Sequence, residues 1–136
     1  MKKNEQIAIK FGSTLDNDQF ELTKKLLSDD CNYFIGEAVL TGPDEICNSY
    51  EQNMVEGREK LDTLEWGESS IESIDDKKFI VHFTDYLTHK NKRHIHRCEQ
   101  VLNFNNDGLI CKITHIENPE EKEKLAEFYK AVGLIE

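Results

Sequence analysis

The sequence predicts a single α+β domain over residues 1–136, with helices on one face of a curved antiparallel sheet. Three observations lead to this fold class. Apolar residues recur at helical spacing over about the first 30 residues and again over 43–61. From residue 64 to 117 apolar and polar residues alternate as in strands, between turn-forming segments. A capped helix follows at residue 119, and helices placed before strands are typical of α+β folds.

The first 30 residues predict two helices. The stripe of the first helix consists of Ile7, Phe11 and Leu15. The acidic segment 16–18 breaks this pattern and supplies caps for a second helix. The core-facing side of the second helix consists of Phe20, Thr23 and Leu27, with Leu22 and Leu26. Residues 28–30 are polar and end it.

Segment 31–42 is rich in aromatic and β-branched residues, which predicts a short strand followed by a loop. Pro43 suits the first position of a helix, and the acids at 44 and 45 favour its N-terminal dipole. The long helix that begins there fades over 61–66. One side of it carries Ile46, Tyr50, Met54 and Leu61.

Four strands are predicted next, over 64–74, 78–89, 94–104 and 109–117. The turn before the last strand contains Asp107-Gly108, a pair that suits the positive φ angles of tight hairpins. Asn118 and Pro119 then begin a C-terminal helix that Gly133 closes. The apolar face of that helix consists of Leu125, Phe128, Tyr129 and Val132.

Charge and composition exclude several classes of function. With 17 basic and 27 acidic residues the net charge is −10, which disfavours nucleic acids and anionic membranes as partners. No apolar run approaches the ~20 residues of a membrane span. The four cysteines are far apart and no secretory signal precedes them, so we expect reduced thiols and a cytoplasmic protein.

Three stretches together resemble the SnoaL-like, nuclear-transport-factor-2-like superfamily. They are LLSDDCNYF (26–34), LTGPDEICNSY (40–50) and EQVLNFNNDGLICKITHIE (99–117). The resemblance implies a cone-shaped curved sheet, a pocket between sheet and helices, and frequent dimerisation. It leaves the function open, because isomerases, cyclases, dehydratases, hydrolases and non-catalytic binders share this fold.

Strand alternation assigns the side chains that face the predicted pocket. In the last strand the inward set is Leu109, Cys111, Ile113, His115 and Glu117. Laying the final hairpin over the family pattern gives the same faces. The complete predicted lining is Phe11, Tyr33, Ile35, Tyr50, Met54, Trp66, Phe83, Asp85, His96, Gln100, Ile113 and His115. Such a mostly apolar wall with a few polar groups is typical of small-molecule sites, so we expect a small, partly apolar ligand.

Asp85, His96 and His115 are the candidate acid–base residues, because a carboxyl in an apolar cavity and an imidazole can both exchange protons near neutral pH. The resulting hypothesis is a cofactor-free isomerase, cyclase or dehydratase. The alternative is that these three side chains are satisfied by hydrogen bonds at the floor of the pocket.

Ketosteroid isomerase is a well-understood enzyme of this superfamily, but this sequence lacks its catalytic residues at the corresponding positions. Its general base would fall near Ile35, its oxyanion-hole tyrosine near Phe11 and its oxyanion-hole acid near Gln100. Isoleucine accepts no proton and phenylalanine has no hydroxyl, so that activity is not expected. SnoaL-type cyclases use an aspartate on a central strand, in the neighbourhood of Asp85 or Gln100.

The sequence also offers residues for a metal site and for a cysteine nucleophile. His94 and His96 share a strand face and, with His115 or Glu117, would suit zinc. Histidines beside the basic turn 90–93 are more commonly solvated, so no metal is predicted. Cys98 and Cys111 fall on adjacent strands near His96, but a buried cysteine usually behaves as a small hydrophobic residue.

The outward face of the predicted sheet is also partly apolar. It carries Ile80, Thr84, Tyr86, Ile95, Val101, Thr114 and Ile116. A patch of this kind indicates a partner surface, and we expect a homodimer through this convex face. The C-terminal helix is expected to cover part of this patch or the mouth of the pocket. A non-catalytic interaction domain is the competing functional class.

Overall fold

The computed structural model describes residues 2–135 and forms a curved, open seven-stranded sheet with four helices. The strand order across the sheet is β2 (Ala38–Thr41), β1 (Leu27–Ile35), β7 (Ile110–His115), β6 (Lys92–Phe104), β5 (Lys78–His89) and β3 (Thr63–Trp66). Strand β4 (Ser70–Asp75) also pairs with β5, beside β3. The α+β fold class predicted above is confirmed. None of the helices described within this range is both long and apolar enough to cross a membrane.

Helices α1 (Lys3–Asp16) and α2 (Phe20–Lys24) open the chain. Helix α2 is shorter than predicted, because strand β1 (Leu27–Ile35) begins where the sequence pattern still continued as a helix. Strand β1 runs parallel to β7 (Ile110–His115), and the Ile110 N–H donates to the Leu26 carbonyl. Pairing with a distant strand thus overrides the local helical pattern.

Segment 31–42 contains two strands rather than one. Strand β1 turns back at Gly36 into β2 (Ala38–Thr41), with Ile35 opposite Ala38. Gly36 has a φ of +58°, a conformation that glycine adopts without steric cost. Helix α3 (Pro43–Lys60) follows from Gly42, as predicted.

The predicted strand 64–74 is also two strands, β3 (Thr63–Trp66) and β4 (Ser70–Asp75). Both pair antiparallel with the long strand β5 (Lys78–His89), β3 with its C-terminal half and β4 with its N-terminal half. The break between them is held by the Gly67 N–H, which donates to the Thr84 carbonyl. The local alternation of residues did not indicate this interruption.

The core of the sheet is the hairpin of β5 and β6 (Lys92–Phe104), in which Asp85 lies opposite His96. Its inward face is the predicted one, since Val81 and Leu102 are fully buried. In β7 the prediction fails at the start of the strand. The β6–β7 register shifts between Asn103 and Phe104, so Ile110, rather than Leu109, is fully buried.

Helix α4 (Pro119–Ala131) begins at Asn118, whose side chain accepts a hydrogen bond from the Glu121 N–H. It packs through Phe128 against Leu87 and Leu64, in a cluster that also contacts Trp66. The Phe128 ring stacks on His94 with centroids 5.3 Å apart. Because His94 and Leu87 belong to the inward face, α4 covers one end of the concave side of the sheet.

Candidate functional site

A cavity of about 190 Å³ lies between the concave face of the sheet and helices α1 to α3. Three helices and five strands contribute residues to it. The wall consists of Leu15, Asp16, Phe20, Tyr33, Ile35, Tyr50, Asn53, Trp66, Phe83, Thr84, Asp85, Cys98, Gln100 and His115. Its size is similar to that of an apolar cavity of about 150 Å³ that accepts a benzene molecule.

Eight of the residues that the sequence predicted for the pocket lie together in this wall. They are Tyr33, Ile35, Tyr50, Trp66, Phe83, Asp85, Gln100 and His115. Strand alternation brings three of them together, Phe83, Asp85 and Gln100, because β5 and β6 pair without a register shift along their length. Every second side chain therefore points to the same side over the whole hairpin.

Three other predicted lining residues lie behind the wall. Phe11 is fully buried and contacts Tyr50 and Phe83 edge-on, with centroids 6.3 and 6.4 Å apart. It supports two rings of the wall instead of forming part of it. Ile113 is fully buried in the same core, and Met54 is half-buried against it.

His96 also lies outside the cavity wall, although it is directly opposite Asp85 in the β5–β6 ladder. Its ring is 6.4 Å from that of His94, which α4 covers. Burial lowers the pKa of His96, with a smaller opposing effect of Glu121. Among residues 2–135, Nδ1 of His96 and Nδ1 of His115 are buried and have no hydrogen-bond partner.

A hydrogen-bonded chain of three side chains closes one side of the cavity. The Tyr50 hydroxyl donates to Oε1 of Gln100 at 2.6 Å, and Nε2 of Gln100 donates to the Tyr33 hydroxyl at 3.1 Å. The two tyrosine rings stack with centroids 5.4 Å apart. Burial raises the pKa of both tyrosines, so both stay neutral and this side of the wall is rigid and uncharged.

Asp85 is a largely desolvated carboxyl group in this wall. Burial raises the pKa of its carboxyl to about 7, and the negative charge of Asp16 adds to the effect. No hydrogen bond from the described residues contributes to that shift. Asp85 therefore exchanges its proton near neutral pH, which is the condition for acid–base chemistry.

Asp16 reaches the wall because of a partner far along the chain. Its Oδ2 accepts hydrogen bonds from the backbone N–H and the hydroxyl of Ser69, both at 2.8 Å. The expectation that segment 16–18 caps the second helix is wrong, since α2 has no side-chain cap. Asp18 instead accepts a hydrogen bond from the Trp66 indole at 2.7 Å and binds Arg58 at 2.8 Å. These contacts fix the position of the Trp66 ring.

Six residues of the wall were not predicted as lining. They are Leu15, Asp16, Phe20, Asn53, Thr84 and Cys98. Leu15 and Phe20 were expected to face the core, and the cavity is a part of that core left open. Asn53 follows Tyr50 by three residues on α3, and this helical spacing is the signal that would have found it.

The structure does not support the metal and nucleophile alternatives. Among residues 2–135, no group of three or more His, Cys, Asp or Glu side chains is arranged to hold a metal ion. His94, His96 and His115 thus form no such centre. Burial raises the pKa of the Cys98 thiol to about 12, which keeps it protonated, whereas a nucleophile needs the thiolate.

Comparison with solved structures places this geometry in a known fold. A nuclear-transport-factor-2-like protein of unknown function from Burkholderia pseudomallei superimposes with a TM-score of 0.69 at 13% identity, over 92% of this chain and 98% of that one. The chain has the SnoaL-like, nuclear-transport-factor-2-like fold. The resemblance seen in its three sequence stretches is thereby confirmed for the fold.

Two further solved structures share this fold. One was crystallised with a ligand, and the other is described as an enzyme. TerC, crystallised with polyporic acid, has a TM-score of 0.68 at 10% identity, over 93% of this chain and 99% of that one. An epoxide hydrolase of the LEH-like type from M. tuberculosis has a TM-score of 0.63 at 17% identity, over 90% and 87%. No protein-family model matches the sequence, and a search of curated proteins finds no match either.

Proposed function

We propose that the protein binds a small, partly apolar molecule in the cavity between its sheet and helices. The observation that carries this proposal is an aromatic-walled cavity that contains a carboxyl group, Asp85, with a pKa near 7. Ligand sites are concave and mostly apolar, with a few convergent polar groups. TerC, which has the same fold, was crystallised with polyporic acid.

A pair of variants tests this proposal. Ile35 lines the cavity, and Ile35→Trp fills part of it. Val39 is half exposed on neighbouring β2, so Val39→Trp adds the same side chain outside the cavity. In a thermal-shift screen of single-ring fragments, we expect compounds that stabilise the wild type and Val39→Trp but not Ile35→Trp. Circular dichroism checks that Ile35→Trp is folded. Fragments that stabilise both variants equally would contradict the proposal.

The catalytic form of this proposal assigns proton transfer to Asp85. Protonated Asp85 would donate to an oxygen or nitrogen of the ligand, and ionised Asp85 would accept a proton from carbon, as an isomerase, cyclase or dehydratase requires. His115, in the same wall, is the second candidate group. His96 does not line the cavity, so we assign it no contact with the ligand. It lies opposite Asp85 in the β5–β6 ladder and is proposed to act only on that residue.

Hydrogen exchange at carbon tests this catalytic form. Ketones found in the fragment screen are incubated with the protein in D₂O, and deuterium incorporation beside the carbonyl is followed by NMR. We expect the rate to rise with pH through about 7, as Asp85 ionises, and to fall at least about 100-fold in Asp85→Asn. Asp29→Asn, at an exposed position, is the matched control. An unchanged rate in Asp85→Asn would reject proton transfer by this residue.

We further propose that the protein forms a homodimer through the convex face of the sheet and resides in the cytoplasm. Tyr86 and Ile95 are paired across β5 and β6 on that face, and both are more than 40% exposed. Exposed apolar side chains that lie together mark partner surfaces. The four cysteines are free thiols, as expected in a reducing compartment.

A further inference from the structure

The charge of the cavity wall limits what the cavity can bind. Two carboxyl groups, Asp16 and Asp85, line it, whereas no lysine or arginine of the described chain does. The Ser69 N–H and hydroxyl both donate to Oδ2 of Asp16 at 2.8 Å, which holds this carboxyl group in the wall. The charge of Asp16 in turn disfavours ionisation of Asp85. Two acidic groups therefore share one small, partly desolvated space without a lysine or arginine from residues 2–135 between them.

The titratable groups of the described chain that face Asp85 include no lysine and no arginine. They come from α1, β1, α3, β6, β7 and α4. They are Asp16, Tyr33, Tyr50, His96, Cys98, His115 and Tyr129. Burial raises the pKa of the Cys98 thiol and lowers that of His96, so both favour their neutral forms. Arg58, the nearest guanidinium to Trp66, is bound to Asp18 and is not part of the wall.

Aromatic rings form much of the remaining wall. They belong to Phe20, Tyr33, Tyr50, Trp66 and Phe83. The face of an aromatic ring attracts cations, most strongly when the cation is removed from water. Aromatic rings combined with carboxylates form the type of surface that holds an ammonium group. A carboxylate ligand would instead meet two like charges and no donor from a basic side chain.

We infer that the ligand of this cavity is a cation, a protonated amine or quaternary ammonium attached to an apolar body of about one ring. Its positive charge lies beside Asp85 and Asp16, and its apolar part contacts the aromatic rings. This inference rests on the proposed function and narrows its ligand class. The net charge of −10 attracts such a ligand at long range as well.

Three probes of nearly equal size separate charge from shape. Benzylamine, benzyl alcohol and benzoate each carry one ring and differ in the charge of one substituent. By calorimetry or ligand-detected NMR we expect benzylamine to bind at least about tenfold more tightly than benzyl alcohol, and benzoate to bind least. Between about pH 6 and about pH 8 the affinity for benzylamine should increase about tenfold, because Asp85 becomes ionised while the amine stays protonated. The affinity for benzyl alcohol should not increase.

Variants locate the effect in the wall. Asp85→Asn should weaken the binding of benzylamine and remove its pH dependence, while the affinity for benzyl alcohol should change little. Asp29→Asn removes an exposed carboxyl and should change neither. Equal affinity of the wild type for benzylamine and benzyl alcohol would overturn the cation inference while leaving small-molecule binding intact. Lack of binding by all three would also overturn it, and the Ile35→Trp and Val39→Trp pair then decides the proposed function separately.

Discussion

At the scale of single residues, Asp85 links the cavity to the pH dependence of stability. Its folded pKa of about 7 lies above the unfolded value of 3.8, so the folded state holds the proton more tightly. The contribution of this group to the free energy of unfolding is therefore largest below pH 3.8, and it is lost as pH rises through about 7. A buried carboxyl that costs stability at neutral pH is typical of a functional site.

The variant Asp85→Asn tests that linkage by urea denaturation. As pH rises from about 5 to about 8, the free energy of unfolding of this variant should increase relative to that of the wild type by on the order of 2 kcal/mol. Asp29→Asn should show the pH dependence of the wild type. A constant difference between Asp85→Asn and the wild type across this range would show that the carboxyl has an ordinary pKa.

The Tyr33–Gln100–Tyr50 chain makes a second prediction at this scale. Tyr50→Phe removes the donor to Oε1 of Gln100, whose side chain is only 4% exposed. An unpaired buried amide oxygen costs about 1–3 kcal/mol, which should appear as a lower free energy of unfolding. Tyr86→Phe, at an exposed position, should cost less than about 0.5 kcal/mol. Equal effects of the two substitutions would mean that the chain does not form.

At the scale of elements, Phe128 is the buried residue of α4 in the cluster that packs this helix on the sheet. Phe128 is buried among Leu61, Leu64 and Leu87, and its ring stacks on His94. Phe128→Ala should lower the free energy of the local opening that detaches α4 by about 3–5 kcal/mol. We expect a matching loss of hydrogen-exchange protection concentrated in residues 119–131. Leu22→Ala, at an exposed position on α2, is the control and should leave that protection unchanged.

Elements also show where prediction from sequence succeeded. Strand β5 was predicted with its observed bounds, because alternation and flanking turns are local signals. The start of β1 and the break between β3 and β4 were missed, since each depends on hydrogen bonds to a distant strand. The register shift that buries Ile110 likewise depends on the β6–β7 pairing and leaves no mark in the periodicity.

At the scale of the whole molecule, the proposed homodimer makes a measurable prediction. Light scattering at micromolar concentration should give twice the mass of the chain. Ile95→Lys introduces charge beside Tyr86 on the convex face and should give the monomer mass. Ile9→Lys alters a similarly exposed isoleucine on α1 and should remain dimeric. A monomeric wild type would reject the dimer outright.

By itself the sequence determined the fold class, the inward face of the β5–β6 hairpin and most of the aromatic wall, because these follow from local periodicity. Only the tertiary structure decided the charge of the cavity. The sequence pattern predicted that Asp16 caps a helix. In the folded chain Asp16 enters the wall because it binds Ser69, and no local pattern indicates a partner 53 positions away. From sequence the net charge of −10 implied little about the ligand. The folded chain brings Asp16 and Asp85 together in a wall that, within the described part of the chain, has no lysine or arginine, and the cation selectivity that we infer rests on this pairing.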